Sequence, residues 1–197
     1  MISAELLLHA YRNGVFPMAM DGGEIGWFSP DPRAVIPLDE RFHVPHGLRR
    51  TLKKNLFEVR VDTAFVRVID GCATRRDTWI SQEIRESYVN LHQLGHAHSV
   101  ETWHNGELAG GLYGVSIGGA FFGESMYHEV TDASKVALYA LVERLRDRGF
   151  KLLDTQWTTA HLRSFGTFEI GRGDYLGELK IAIDLPCQFN GDDGARD

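Results

Sequence analysis

Three polar side chains, Glu124, Asp154 and Gln156, occur in otherwise apolar segments that read as strands. An unpaired buried polar group costs about 1 to 3 kcal/mol, so such groups usually pair with one another or do chemistry. Because strand side chains alternate, we expect Asp154 and Gln156 on one face, about 6 to 7 Å apart. Phe122, Glu124 and Met126 should likewise share a face of a neighbouring hairpin. Two carboxylates and an amide could then form a reaction site, although ion pairs and helix caps are the commoner roles of single acidic residues.

The segments around these residues predict an antiparallel meander followed by a helix and a further strand. Gly118 and Gly119 are typical of a two-residue hairpin turn. Asp132 is a predicted N-cap, and Gly149 ends the helix that follows it. Strands are expected at residues 57–61, 99–104, 108–117, 120–127, 150–157 and 180–183, and helices at residues 3–13, 45–55, 64–73, 81–94, 133–148 and 161–165.

The order of these elements predicts an α+β architecture rather than alternating βαβ units. It matches the GNAT-like acyltransferase fold, an antiparallel or mixed sheet flanked by helices. Residues 16–33 are rich in Gly and Pro and predict an irregular surface loop with some fixed structure of its own. We therefore expect a small N-terminal lobe at residues 1–33, the acyltransferase domain at residues 34–189 and a disordered tail at residues 190–197.

Composition restricts the classes of function. The 197 residues include 43% hydrophobic and 24% charged residues, as in an ordinary globular protein. Cys72 and Cys187 lack metal-ligand spacing, no apolar run is long enough for a membrane span, and no basic signal peptide starts the chain, so we expect a cytoplasmic protein. The formal net charge of -6 disfavours general nucleic-acid binding, yet two basic groups stand out. They are Arg49, Arg50, Lys53 and Lys54, and the pair Arg75 and Arg76. A solvated helix face is the alternative explanation of the first group.

An ordered series of motifs resembles the leucyl/phenylalanyl-tRNA-protein transferase family. The series spans nearly all of residues 11–179. The motifs are YRNGVFPM at 11–18, WFSPDPRA at 27–34, TWI at 78–80, LGHAHSVE at 94–101, GGLYG at 110–114, FGESM at 122–126, ASK at 133–135 and DTQ at 154–156. The resemblance implies transfer of leucine or phenylalanine from aminoacyl-tRNA to the α-amine of proteins that begin with Arg or Lys, which creates a degradation signal. It implies neither a cofactor nor a metal.

The resemblance also implies roles for residues of this chain. Gln156 lies nearest the attacking amine, Asp154 is its partner, and Glu124 orients the aminoacyl group. The remaining assignments are an aminoacyl pocket of Phe121, Gly123, Ser125, Met126 and Leu153, contacts of Trp27 and Trp79 with the tRNA 3' end, and phosphate contacts of Arg49, Arg50, Lys53 and Lys54. His128, beside the FGESM motif, is interpreted as a bystander rather than a proton carrier.

Two other functions remain open at this stage. An acyl-CoA-dependent N-acyltransferase would share the fold, but residues 129–135 lack the glycines that let backbone N–H groups bind pyrophosphate, and they carry two acids. A non-catalytic adaptor that binds tRNA or basic N-termini would need the basic patch and an acidic pocket, but not the pair Asp154 and Gln156.

Overall fold

The computed structural model describes residues 1–74 and 78–191. A two-stranded antiparallel hairpin precedes the main sheet and consists of β1 and β2. The strands are β1 (Phe16–Ala19), β2 (Ile25–Phe28), β3 (Arg33–Ile36), β4 (Glu58–Val61), β5 (Ala97–His104), β6 (Glu107–Ile117), β7 (Ala120–His128), β8 (Leu152–Gln156) and β9 (Phe168–Ile170). The helices are α1 (Ala4–Arg12), α2 (His46–Lys54), α3 (Phe65–Ala73), α4 (Gln82–Gln93), α5 (Ala133–Asp147), α6 (Ala160–Arg163) and α7 (Arg172–Ile183).

The main sheet has seven strands in the order β4-β5-β6-β7-β8-β3-β9. Among the strands of the described residues, only β7 and β8 pair in parallel, with Phe122 opposite Asp154, and the other neighbours in this sheet are antiparallel. This mixed sheet flanked by helices confirms the expected α+β architecture. The parallel pairing brings β7, which carries Glu124, beside β8, which carries Asp154 and Gln156.

Apolar side chains form two clusters, one on each face of the sheet. Adjacent residues Val35 and Ile36 belong to different clusters, as alternation along a strand requires. Helices α1, α3, α4 and α7 contribute to the first cluster, and α2 and α5 to the second. In the described part of the chain, no helix is both long and apolar enough to cross a membrane.

The structure corrects the expected loop at residues 16–33. The segment contains β1, β2 and the start of β3. Gly22 and Gly23 have positive φ angles and turn the chain between β1 and β2. Strands of four residues among Gly and Pro are too short to show alternation, which explains the error. The lobe boundary predicted between residues 33 and 34 falls inside β3.

The strand predicted at residues 180–183 is also wrong, because these residues form the last turn of α7. Tyr175, Leu179 and Ala182 are buried at a spacing that places them on one helix face. The short apolar run that suggested a strand is therefore the C-terminal end of a twelve-residue helix.

Asp132 does not cap α5 through its side chain. Its backbone is left-handed, with φ 68°, and its carboxylate accepts hydrogen bonds from Lys135 Nζ at 2.7 Å and Thr51 Oγ1 at 2.9 Å. These bonds tie α2 to the start of α5.

The predicted disordered tail is described for residues 190 and 191 only, and both accept hydrogen bonds. Arg144 donates to Asn190 Oδ1 at 3.1 Å, and Arg148 donates to the Gly191 carbonyl at 2.7 Å. Residues 192–197 and the pair Arg75 and Arg76 lie outside the described residues.

Candidate active site

Gln156 ends β8 in a left-handed backbone conformation, with φ 60°. A non-glycine residue in this region costs of order 1 to 3 kcal/mol, so the surrounding structure must hold it. Two hydrogen bonds do so: the Gln156 N–H donates to Asp154 Oδ1 at 2.8 Å, and the Trp157 N–H donates to the Thr155 carbonyl at 2.7 Å. The resulting tight turn presents the Gln156 side chain to a cavity.

Glu124 lies at a bulge of β7. Gly123 pairs with Gly114 and Ser125 with Tyr113, so Glu124 has no opposite residue. A bulge adds one residue to a strand and changes which face the following side chains occupy. Phe122 accordingly packs in the first cluster and Met126 against the second, so the prediction that they share a face is wrong.

Three side chains donate hydrogen bonds to the Glu124 carboxylate. Tyr11 donates to Oε1 at 2.7 Å, Tyr88 to Oε2 at 3.2 Å, and Gln156 Nε2 to Oε1 at 3.2 Å. The hydroxyl oxygens of Tyr11 and Tyr88 also lie within hydrogen-bond distance of each other. Burial raises the pKa of Glu124 to about 7, aided by the charge of Asp154 and opposed by the tyrosine hydrogen bonds. Glu124 therefore changes protonation state near neutral pH.

Asp154 is fully buried behind the cavity wall. Arg33 donates to it from Nε at 2.9 Å and from Nη2 at 2.6 Å, and the Tyr175 hydroxyl donates at 2.8 Å. The structure thus joins Glu124, Gln156 and Asp154 through hydrogen bonds, but Asp154 reaches the backbone of Gln156 rather than its side-chain amide. Asp154 therefore does not line the cavity with the other two, in contrast to the expected reaction site formed by all three side chains.

The cavity has a volume of about 760 Å³, within the range of small-molecule sites. Among the predicted pocket residues, Gly123, Ser125, Met126 and Leu153 line it, as do Glu124 and Gln156. Phe121 does not line it, because its ring is buried in the second cluster, 5.2 Å from Phe189. Phe121 and Phe122 point to opposite faces of the sheet, and neither lines the cavity.

Two tryptophans line the cavity. Trp79 was expected there, whereas Trp157 was missed although it directly follows Gln156. Trp157 is 44% exposed, and its ring meets Phe16 edge-on at 5.2 Å. Trp27 lies on β2, is 41% exposed and is not a lining residue.

A polar end of the cavity includes His128, Lys135 and His161. His128 Nδ1 lies 3.4 Å from Ser134 Oγ. His161 Nε2 is buried without a hydrogen-bond partner among the described residues. Burial, with Lys135 and His128 nearby, lowers the pKa of His161. Residues 1–74 and 78–191 contain no group of three or more His, Cys, Asp or Glu side chains able to hold a metal ion.

The predicted phosphate contacts form an exposed face of α2. Arg49, Arg50, Lys53 and Lys54 are all exposed there, whereas Leu48 anchors the helix with 2% exposure. Asp132, which Thr51 contacts, lines the cavity, so the helix is attached to the cavity rim.

Solved structures that resemble this chain superpose on it with low TM-scores. An aminoglycoside acetyltransferase from an uncultured soil metagenomic sample has a TM-score of 0.44 and 12% identity, covering 57% of this chain and 86% of its own. A GCN5-related N-acetyltransferase-like protein from Streptococcus suis has a TM-score of 0.42 and 15% identity, covering 85% and 64%.

Sequence comparisons are far closer. A leucyl/phenylalanyl-tRNA–protein transferase of Herpetosiphon aurantiacus is 54% identical over 188 residues, covering 95% of this chain and 98% of its own. The protein of that name from Gloeobacter violaceus is 55% identical over 189 residues, covering 95% and 97%. Residues 1–31 match the family's N-terminal domain, and residues 35–180 match the family described as leucyl/phenylalanyl-tRNA protein transferase. The chain therefore belongs to the leucyl/phenylalanyl-tRNA protein transferase family.

Proposed function

We propose that this aminoacyltransferase uses Gln156 and Glu124 to transfer leucine or phenylalanine from tRNA to proteins that begin with Arg or Lys. Family membership establishes aminoacyl transfer from tRNA to protein N-termini. The observation that carries the residue assignment is the hydrogen bond between Gln156 and Glu124 at the wall of a cavity of about 760 Å³.

Amide formation here needs positioning more than strong base catalysis. An α-amino group has a pKa of about 7.7 to 8, so part of it is neutral at cellular pH. The Gln156 amide nitrogen donates to Glu124, which leaves the amide oxygen to accept the N–H of the attacking amine. As the new C–N bond forms, the ester C–O bond to the tRNA 3'-oxygen breaks. An amide is too weak a base to retain the proton, which passes to the leaving oxygen or a carboxylate.

The cavity supports the substrate assignments. Met126 and Leu153 provide apolar walls for a leucine or phenylalanine side chain, and Gly123 and Ser125, on either side of Glu124 in the sequence, also line the cavity. We assign Trp79 and Trp157 to stacking on bases of the tRNA 3' end, because aromatic faces bind single-stranded bases. The contact predicted for Trp27 remains a prediction.

Charge supports a cationic acceptor. Glu124, Glu129 and Asp132 line the cavity together with Lys135, which forms an ion pair with Asp132, and the chain carries a formal net charge of -6. Carboxylates in a cleft attract a cationic N-terminal side chain. The exposed cations of α2 would contact tRNA phosphates without reading sequence. Because its substrates are aminoacyl-tRNA and proteins with such N-termini, we place the protein in the cytoplasm.

A transfer assay tests these assignments. The protein is incubated with leucyl-tRNA and labelled peptides that differ only in beginning with Arg, Lys, Ala or Glu, in the absence of coenzyme A. We expect label transfer to the Arg and Lys peptides alone. Transfer that requires acyl-coenzyme A would support the acyl-CoA enzyme, and binding of both substrates without product would support the adaptor. Equal transfer to all four peptides would refute the proposed acceptor specificity.

A further inference from the structure

Arg33 is the largest fully buried side chain of the described residues, with 1% of the side chain exposed. A buried charge is tolerated only when it is paired and hydrogen-bonded. Its Nε and Nη2 donate to the Asp154 carboxylate, and its Nη1 donates to the Gly14 carbonyl at 2.9 Å. The guanidinium also lies between two aromatic rings, 4.9 Å from the centroid of Phe16 and 4.5 Å from that of Tyr175.

Each oxygen of Asp154 accepts hydrogen bonds from two residues. Oδ1 accepts from Arg33 Nε at 2.9 Å and from the Gln156 backbone N–H at 2.8 Å. Oδ2 accepts from Arg33 Nη2 at 2.6 Å and from the Tyr175 hydroxyl at 2.8 Å. The orientation of the carboxylate is therefore fixed by donors on β3 and α7, and the same carboxylate holds the first N–H of the turn at Gln156.

Gln156 needs this support, because its φ of 60° is unfavourable without external contacts. A small rotation of Asp154 would release the Gln156 N–H and let the backbone relax. The amide side chain would then move away from Glu124, to which it now donates at 3.2 Å.

We propose that Arg33 and Tyr175 are positioning residues of the transfer reaction, which act through Asp154 to hold the catalytic conformation of Gln156. Neither residue lines the cavity, so neither contacts substrate. The inference rests on the proposed role of Gln156 and extends the functional network from β8 to β3 and α7.

The test uses Tyr175→Phe, because replacement of the fully buried Arg33 would threaten folding. The substitution removes one hydroxyl that donates to a charged acceptor, and it keeps the ring that covers Arg33. We expect kcat to fall about tenfold, with KM for aminoacyl-tRNA unchanged within about twofold. The matched control is Leu179→Ala, one turn further along α7, where the side chain is 1% exposed and packs in the first cluster. It should lower the melting temperature and leave kcat unchanged.

A double-mutant comparison separates positioning from general destabilisation. If Tyr175 acts through Gln156, Tyr175→Phe should cost nothing further in a Gln156→Ala background. Multiplicative losses in the double variant, or a kcat loss in Leu179→Ala equal to that in Tyr175→Phe, would overturn the inference. If Tyr175→Phe is fully active while Gln156→Ala has a reduced kcat, only the positioning role of Tyr175 is refuted. A fully active Gln156→Ala would refute the catalytic assignment itself.

Discussion

The side-chain amide of Gln156 donates to the Glu124 carboxylate at 3.2 Å, which joins the end of β8 to the bulge of β7. Both residues face the cavity, and both depend on an irregular backbone: a left-handed φ at Gln156 and an unpaired position at Glu124. Irregular positions that the rest of a fold must hold in place are common at reaction sites. This pair is therefore the centre of the predictions below.

Replacement of Gln156 should slow transfer without releasing the donor. We expect Gln156→Ala to lower kcat about 100-fold, because the attacking amine loses the acceptor that orients it. The dissociation constant for aminoacyl-tRNA should change less than about twofold, since the pocket walls remain. Single-turnover rates and a filter-binding assay measure the two quantities, with exposed Gln82→Ala on α4 as control. Normal turnover of Gln156→Ala would contradict this role.

Glu124 should make folding stability depend on pH. Burial raises its pKa from 4.5 to about 7, so the folded state retains a proton that the unfolded chain loses at lower pH. This stabilisation is complete below pH ~4.5 and is lost as the pH rises through ~7. Glu124→Gln stays uncharged and escapes the loss. The melting temperature of the variant relative to the wild type should therefore rise between pH ~5 and pH ~8. A constant difference across that interval would rule out the raised pKa.

The cationic face of α2 should control the salt dependence of tRNA binding. Each phosphate contact adds about 0.7 to 0.9 to the slope of log affinity against log salt. Replacement of Arg49, Arg50, Lys53 and Lys54 by Gln should reduce that slope by about 3. The control replaces two exposed lysines away from α2, Lys151 before β8 and Lys180 on α7. Equal slopes for the wild type and the quadruple variant would remove α2 from the tRNA interface.

Replacement of Trp157 should raise KM for aminoacyl-tRNA more than replacement of Trp27. Stacking of one base on an aromatic ring is worth about 1 to 3 kcal/mol, so Trp157→Ala should raise KM for aminoacyl-tRNA at least about fivefold, and Trp157→Phe should retain most affinity. Trp27→Ala should remain within about twofold of the wild type, because Trp27 does not line the cavity. The reverse order of effects in initial-rate measurements would restore the assignment of Trp27.

Two paired glycines at the β7 bulge should differ in tolerance. A Cβ at Gly114 would overlap the Phe122 carbonyl oxygen, whereas a Cβ at Gly123 would meet only the Asp154 carbonyl oxygen at 3.5 Å, an ordinary contact. Gly114→Ala should lower the free energy of unfolding by about 1 to 3 kcal/mol. Gly123→Ala should lower it by less than about 1 kcal/mol. Urea unfolding compares them, and equal losses would contradict the close approach of β6 and β7.

Local patterns were sufficient for much of the fold. Ser81 accepts from the Ile84 N–H at 3.3 Å and begins α4, and Gly118 and Gly119 form the hairpin turn between β6 and β7. These features depend on residues close in sequence. The prediction from side-chain alternation was wrong at Glu124, because alternation holds only where every residue of a strand has an opposite partner. The bulge results from the pairing of β7 with β6, which the sequence of β7 alone does not show.

The supports of the site could not be predicted from local patterns. Arg33 and Asp154 are 121 residues apart in sequence, and Tyr11 is 113 residues from Glu124. No periodic pattern in the sequence links residues so far apart. The polar character of Asp154 and Gln156 in an apolar strand indicated that partners were needed. Only the pairing of β3 with β8 and the packing of α1, α4 and α7 against the sheet identify them.

The bond from Arg33 to the Gly14 carbonyl limits how the chain can be dissected. A truncated protein that starts after Gly14 would retain every strand of the seven-stranded sheet, yet a guanidinium N–H in the interior would lose its acceptor. We therefore expect removal of the first fourteen residues to destabilise the site, although every strand that carries its polar side chains would remain.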